Sequence, residues 1–232
     1  MPVSRAGYVP PELEVIERRN EAAVEAARES FTAASTRAGV KSEPLTLSAS
    51  LVSAGDQFGQ IARRFDLTVV GQAEPETNAV EENIIEAALF DSGGPLIVVP
   101  YIQKEPLELD HVMVWWNGGR SAARATRDAI PFLRRAGRIE VVIVSNEPGK
   151  QDQIERADIG AHLARHGLNV AVKRMPLGDV DVASMLLSHA ADDGIDFIVM
   201  GGYGHSRLRE FVLGGVTRSV LRSMTVPVLM SH

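Results

Sequence analysis

One stretch of this chain occurs twice, and that repetition constrains the fold more than any other feature. Phe65-Asp66-Leu67-Thr68-Val69-Val70-Gly71 lines up with Ile195-Asp196-Phe197-Ile198-Val199-Met200-Gly201. Gly93-Gly94-Pro95-Leu96-Ile97-Val98-Val99 lines up with Thr225-Val226-Pro227-Val228-Leu229-Met230, and the helix-stopping Gly39 with Gly167. A repeat at a spacing of about 130 residues is a domain doubled, not a solenoid, whose units run to roughly 20–50 residues. Each copied stretch is a short apolar run ending in glycine or following proline. Such runs, alternating with helical periodicity, describe a parallel sheet covered by helices.

In the second half the alternation is complete. His111–Trp116, Glu140–Val144, Val170–Arg174, Phe197–Met200 and Val226–Met230 read as strands. Ser121–Arg135, Ile154–His166, Val182–Ala191 and Val216–Met224 read as the helices between them. The first half offers a helix over Glu12–Ala38, a strand over Leu45–Leu51, a helix over Gln57–Phe65, a strand over Leu67–Val70, a helix over Asn83–Phe90 and a strand over Leu96–Val99. It has no counterparts of the first strand, first helix and second strand of the other copy. In a doubly wound sheet those strands are central, so their loss exposes apolar edges. The expected organisation is an incomplete copy over residues 1–105 and a complete one over 110–232. Either the chain is an N-terminally shortened form of a longer tandem protein, or it is a natural half-domain covered by the second domain or a partner.

Composition removes whole classes of function. With 24 Lys and Arg against 30 Asp and Glu, the chain carries a net charge of -6 and lacks the basic face that nucleic acid demands. There is no cysteine, which excludes disulfides, thiolate nucleophiles and Cys-based metal sites. No apolar run approaches the roughly 20 residues of a membrane span, and Met1–Pro11 lacks a secretory layout. The expected location is therefore cytoplasmic.

The segment with chemistry to offer begins at Met200-Gly201-Gly202-Tyr203-Gly204-His205-Ser206-Arg207 and resumes at Gly214-Gly215-Val216-Thr217. Glycines after a buried strand let N–H groups approach a ligand, and a helix opening at Gly214-Gly215 favours an anion at its N-terminus. Thr217 adds a hydroxyl. Gly201-x2-Gly204-x9-Gly214, with a Val-Met strand before it and Val226-Pro227-Val228-Leu229 after it, resembles the ATP-binding signature of universal stress proteins.

That resemblance implies an α/β fold of adenine-nucleotide-hydrolase type: a doubly wound, five-stranded parallel sheet of order 3-2-1-4-5. Here it would occur in tandem copies, with homodimerisation or tandem intramolecular pairing. It also implies ATP or AMP, with magnesium, as ligand. Phosphate contacts would come from Gly204, His205, Gly214, Gly215, Val216 and Thr217, and adenosine contacts from Asn117, Val144, Met200 and Gly201. Three departures bear on the ligand. Gly215 stands where the family places Ser or Thr, Asn117 where ATP-binding members carry Asp, and Trp115-Trp116 bring bulk to the pocket. The alternative function is a universal stress module without nucleotide, acting through dimerisation and protein interaction. No general base or metal pair is placed for fast turnover, so at most weak ATP hydrolysis is expected. The first copy keeps Gly71, but Glu74 puts a negative charge where the next glycine would be.

Other patterns have simpler readings. Asp91-Ser92-Gly93-Gly94-Pro95 resembles a serine-protease nucleophile motif, but no His precedes His111 and the surroundings are α/β, so a turn is expected. His162 and His166 have zinc-compatible spacing without a third ligand. Asp192, Asp193 and Asp196 are expected to cap and solvate the end of a helix beside Gly194.

Overall fold

The computed structural model describes residues 11–74, 78–145, 159–176, 180–203 and 215–232. The chain divides into two compact units that meet at Ser48. In the first, α1 (Pro11–Ala38) ends at Gly39, whose φ of 65° turns the chain so that the Val40 N–H donates to the Ser35 carbonyl. Residues 40–50 form no ladder, so the strand expected over Leu45–Leu51 is not made. The reason is topological: a third strand in a 3-2-1-4-5 order hydrogen-bonds only to the second, and no strand precedes it among the described residues. Ser50 instead caps α2 (Leu51–Ala62), its Oγ accepting the Ser53 N–H at 3.3 Å.

The second unit is built on one seven-stranded sheet. Its strands are β1 (Thr68–Gly71), β2 (Leu96–Val99), β3 (His111–Trp115), β4 (Arg138–Ser145), β5 (Val170–Pro176), β6 (Phe197–Gly201) and β7 (Val228–Ser231). Their spatial order is β1-β2-β7-β6-β3-β4-β5. The five strands from His111 onward thus run 3-2-1-4-5 in their own chain order, all parallel.

The two repeated strand pairs share one register. β1 and β2 pair Thr68↔Leu96, Val69↔Ile97, Val70↔Val98 and Gly71↔Val99. β6 and β7 pair the equivalent residues, Ile198↔Val228, Val199↔Leu229, Met200↔Met230 and Gly201↔Ser231. β2 and β7 then join antiparallel, with Ile97↔Leu229 at the centre and Leu96↔Met230 and Val98↔Val228 on either side. Each flanking pair exchanges equivalent positions, as two strands related by a local twofold must.

Helices cover both faces. α3 (Asn78–Phe90), α7 (Val182–Asp192) and α8 (Gly215–Ser223) supply Ala88, Leu89, Leu186 and Val220 to one core, which includes Met113, Ile198 and Met230 of the sheet. α4 (Arg120–Asp128), α5 (Ile130–Leu133) and α6 (Ile159–Arg165) supply Ala125, Leu133 and Leu163 to the other, with Val112, Val141, Val199 and Leu229. The single helix expected over Ser121–Arg135 is divided because Pro131 has no N–H to continue the ladder. It sits instead in the first turn of α5, where none is needed.

Candidate functional site

The carboxyl ends of β3, β4 and β6 reach one edge of the sheet, and α4 and α8 open beside it. β3 has β4 on one side and β6 on the other. The chain leaves β3 for β4 through α4 and α5, so a crossover gap opens between β3 and β6, where ligands bind in open α/β sheets. Asn117 follows β3 and is exposed, its Oδ1 accepting the Gly119 N–H at 2.9 Å across a turn in which Gly118 holds a φ of 74°. Val144 lies half-buried near the end of β4 and Met200 is buried in β6. Gly215 is exposed at the start of α8 with open space around it, Val216 is half-buried and Thr217 is buried.

Gly201 has a different neighbour from the one its motif suggests. A Cβ there would lie 2.5 Å from the Ala122 nitrogen and 2.6 Å from Ser121 Oγ, so the missing side chain lets α4 begin directly against β6. Gly202 likewise admits Leu89 of α3, 2.7 Å from a Cβ built at that position. Tyr203 adopts a φ of 45° and donates its N–H to Thr217 Oγ1 at 3.2 Å. The Thr217 oxygen therefore ties the loop to α8 by accepting a hydrogen bond.

The Tyr203 ring lies 5.1 Å from that of Phe90, which meets His232 edge-on at 4.8 Å. Burial, reinforced by the Glu86 carboxylate, pushes the Tyr203 hydroxyl up to about 12. Glu86 is itself raised, by burial first and the nearby Glu82 second, with Arg218 opposing. The start of the glycine-rich segment is thus anchored to both α3 and α8. Gly204, His205 and Gly214 lie outside the described residues.

Two buried polar atoms near the crossover have no hydrogen-bond partner among the described residues: Ser121 Oγ in the first turn of α4, and the indole Nε1 of Trp116 just past β3. The sequence reading missed Ser121. A serine two residues after a Gly-Gly turn was the available signal. Trp115 packs against one core and Trp116 against the other, so neither ring is free at the surface.

In the first half, Gln72 occupies the place of Gly202. Its Nε2 donates to the Leu221 carbonyl at 2.8 Å and to that of Arg222 at 3.2 Å, closing the C-terminal end of α8. Ser92 is a helix stop, as a turn requires: its Oγ donates to the Ala88 carbonyl and accepts the Gly94 N–H at 3.2 Å.

A second polar cluster sits at the opposite end of the strands. Glu140 of β4 and His189 of α7 are 4% and 6% exposed, and Glu140 Oε2 lies 2.5 Å from His189 Nε2. His189 Nδ1 lies 3.0 Å from Asp193 Oδ2, which also accepts from Lys173 Nζ at 2.9 Å. That hydrogen bond, with the His189 ring second among the charges and groups that lower it, holds the Asp193 carboxyl below its ordinary range.

Asp193 is thus a pairing residue as well as the end of a helix. Asp196 accepts the Asp110 N–H at 2.6 Å, tying the start of β6 to that of β3. Glu140, His189 and Asp193 are the group of metal-ligating types that converges among the described residues. The carboxylates engage opposite ring nitrogens, so one ion cannot take all three residues in this arrangement, and the Lys173 ammonium already supplies positive charge. His162 and His166 meet edge-on at 5.0 Å and gain no third ligand among the described residues.

A mostly parallel, doubly wound sheet with helices on both faces defines an α/β protein. The particular family follows from comparison. The model described as "Universal stress protein family" matches residues 67–232, and this chain belongs to that family. It is 43% identical over 174 residues to Universal stress protein Slr1230 of Synechocystis, a match covering 71% of this chain and 57% of that protein. A shorter match, 44% identical over 41 residues, is to Universal stress protein MJ0577 of Methanocaldococcus jannaschii, covering 18% of this chain and 25% of that one. The chain therefore spans little more than half of the first relative and a quarter of the second. A universal stress protein structure from Archaeoglobus fulgidus has the same fold, with a TM-score of 0.68 at 18% identity, covering 98% of this chain and 81% of that one. No helix among the described residues is long and apolar enough to cross a membrane.

Proposed function

We propose that this chain is a cytoplasmic stress-response regulator that binds an adenine nucleotide, ATP or AMP with magnesium, at the carboxyl edge of its second half. Residues 110–232 form the complete domain and residues 1–105 a reduced copy, paired with it within one chain. The identical registers of β1–β2 and β6–β7 support the two-copy reading, as does the exchange of equivalent residues across β2–β7. That antiparallel join takes the place of a dimer contact through the last strand.

The observation that carries nucleotide binding is the buried Ser121 Oγ beside the crossover gap, without a partner among the described residues where buried hydroxyls ordinarily have one. Open space at Gly215 leaves the first N–H groups of α8 room for a phosphate. With Oδ1 committed to Gly119, Asn117 offers its Nδ2 donor, suited to an acceptor on the base or ribose where an Asp would itself accept. Phosphate contacts are assigned to Gly204, His205, Gly214, Gly215, Val216 and Thr217, with Ser121 joining Thr217 as a hydroxyl donor. Adenosine contacts are assigned to Asn117, Val144, Met200 and Gly201. Magnesium would neutralise phosphate charge, and no side chain is assigned to turnover.

One observation favours a second reading, a nucleotide-free interaction module. Gly201 and Gly202 make room for α4 and α3, and the Thr217 oxygen accepts a loop N–H. Calorimetry with ATP and magnesium separates the two. Saturable heat is expected, abolished by Gly204→Asp. Binding at a hundredfold excess over Kd would add about 2.7 kcal/mol of stability. No heat at millimolar ATP, with an unchanged melting temperature, refutes the nucleotide reading.

A further inference from the structure

The last turn of α8 is closed from a distance. Its final residues are Leu221-Arg222-Ser223 and the chain continues Met224-Thr225-Val226, with no glycine to turn back over the carbonyls that a helix end leaves unpaired. Gln72, just past β1 and only 5% exposed, closes the end instead. Its Nε2 donates to both the Leu221 and the Arg222 carbonyls, and its Oε1 accepts the Tyr101 N–H at 3.3 Å. Both amide protons and the oxygen are committed, so the side chain holds one orientation.

The equivalent contact in the other direction is made without a side chain. Leu89 and Leu221 stand equally far before the equivalent strand residues Leu96 and Val228, and Leu89 meets Gly202 as Leu221 meets Gln72. A Cβ at Gly202 would lie 2.7 Å from Leu89, so that contact is one of shape, whereas Gln72 grips α8 by hydrogen bonds. The other helix that opens beside the crossover gap is tied to the same half. Arg124 of α4 donates to the Gly93 carbonyl in the turn before β2. Both α4 and α8 are therefore held by the first half at points away from the candidate phosphate site.

We propose that Gln72 is a positioning residue for the nucleotide: by fixing the carboxyl end of α8 it aims the N–H groups at the opposite end towards the phosphate. The inference rests on the nucleotide reading above. A helix of nine residues is a stiff rod about 13 Å long, so releasing one end tilts or slides the other. N–H groups at a helix N-terminus hold an anion only while they point at it, because a hydrogen bond weakens steeply as its angle closes. The first half then needs no ligand contact of its own. It sets the geometry in which the second half makes its contacts.

The test is calorimetry on the full chain with ATP and magnesium, and separately with adenosine, which has no phosphate, at a temperature where every variant is folded. Gln72→Met keeps the length of the side chain and loses all three hydrogen bonds. It should bind ATP at least fivefold more weakly than wild type, with adenosine binding unchanged. Gln72→Glu keeps an acceptor for Tyr101 but loses both donations to α8, so it should show the same loss and carries the test where Gln72→Met does not fold. Leu163→Ala, in the core on the other face of the sheet, should lower the melting temperature and leave ATP binding unchanged. Unchanged ATP affinity in a folded Gln72 variant, an equal loss for adenosine, or an equal loss in Leu163→Ala would each overturn the proposal and leave the nucleotide reading standing. No heat with ATP in the wild-type protein would remove both.

Discussion

Replacing His189 by alanine should be among the most damaging single changes in this protein. The imidazole is buried with Glu140, and it is the partner recorded for that carboxylate among the described residues, at 2.5 Å. Removing the imidazole leaves the buried Glu140 carboxyl without its hydrogen-bond partner, at a cost of about 1–3 kcal/mol. For a unit of this size each kcal/mol lowers Tm by roughly 2–4 °C, so His189→Ala should melt about 2–12 °C below wild type.

Glu140→Gln alone keeps the shape and an acceptor for Nε2 and should cost only about 1 kcal/mol. In the double variant the carboxylate that His189→Ala strands is gone, so its loss should be smaller than the sum of the two single losses. Thermal and urea unfolding of the four proteins at neutral pH, followed by circular dichroism, gives the cycle. A His189→Ala protein within 1 kcal/mol of wild type, or strict additivity, would refute the reasoning. Either result would show that water or Lys173 compensates Glu140 as well as the imidazole does.

Two further predictions concern the glycine-rich segment. Gly201→Ala should destabilise by about 1–3 kcal/mol through the clash with the α4 backbone, whereas Gly71→Ala should stay within about 0.5 kcal/mol, both read by urea unfolding. A Gly201→Ala protein as stable as wild type would show that α4 shifts freely. Tyr203 is raised in the fold, so its contribution is fully present below the ordinary tyrosine range near 10 and is lost as pH rises towards about 12. Tyr203→Phe should therefore flatten the alkaline fall in stability between those values, and an unchanged pH profile would contradict the burial of its hydroxyl.

Much of the sheet and its covering helices was legible because these elements satisfy local rules. Leu96–Val99 was read with its observed bounds, and β3, β6 and α7 to within a residue, since apolar runs bounded by glycine, proline or aspartate leave little choice. The repeat was legible too, and β1–β2 and β6–β7 keep one register. The strand over Leu45–Leu51 was misread because its alternation is a local property, whereas a ladder partner is not. The single helix over Ser121–Arg135 was misread for the smaller reason that Pro131 falls within its periodicity.

Among the site residues, sequence placed Asn117, Met200, Gly201 and Gly215 at the carboxyl edge but did not show what each one touches. Ser121 carries no motif, and it is buried because α4 begins directly against β6. Glu140 read as one residue of a strand, and His189 and Asp193 as neighbours on a helix. Only the contact of α7 with β4 and β5 joins them, with Glu140 and His189 buried and Asp193 exposed beside Lys173.

The sequence by itself determined the alternation of strands and helices and the family, because both rest on residue type and spacing along the chain. Tertiary structure decided the antiparallel join of β2 to β7, the helix that fills the room left by Gly201, and the open space that a Cβ at Gly71 would meet among the described residues. Each of these is a contact between residues far apart in sequence. Two glycines that are equivalent in sequence can therefore serve a packed helix in one half and open space in the other.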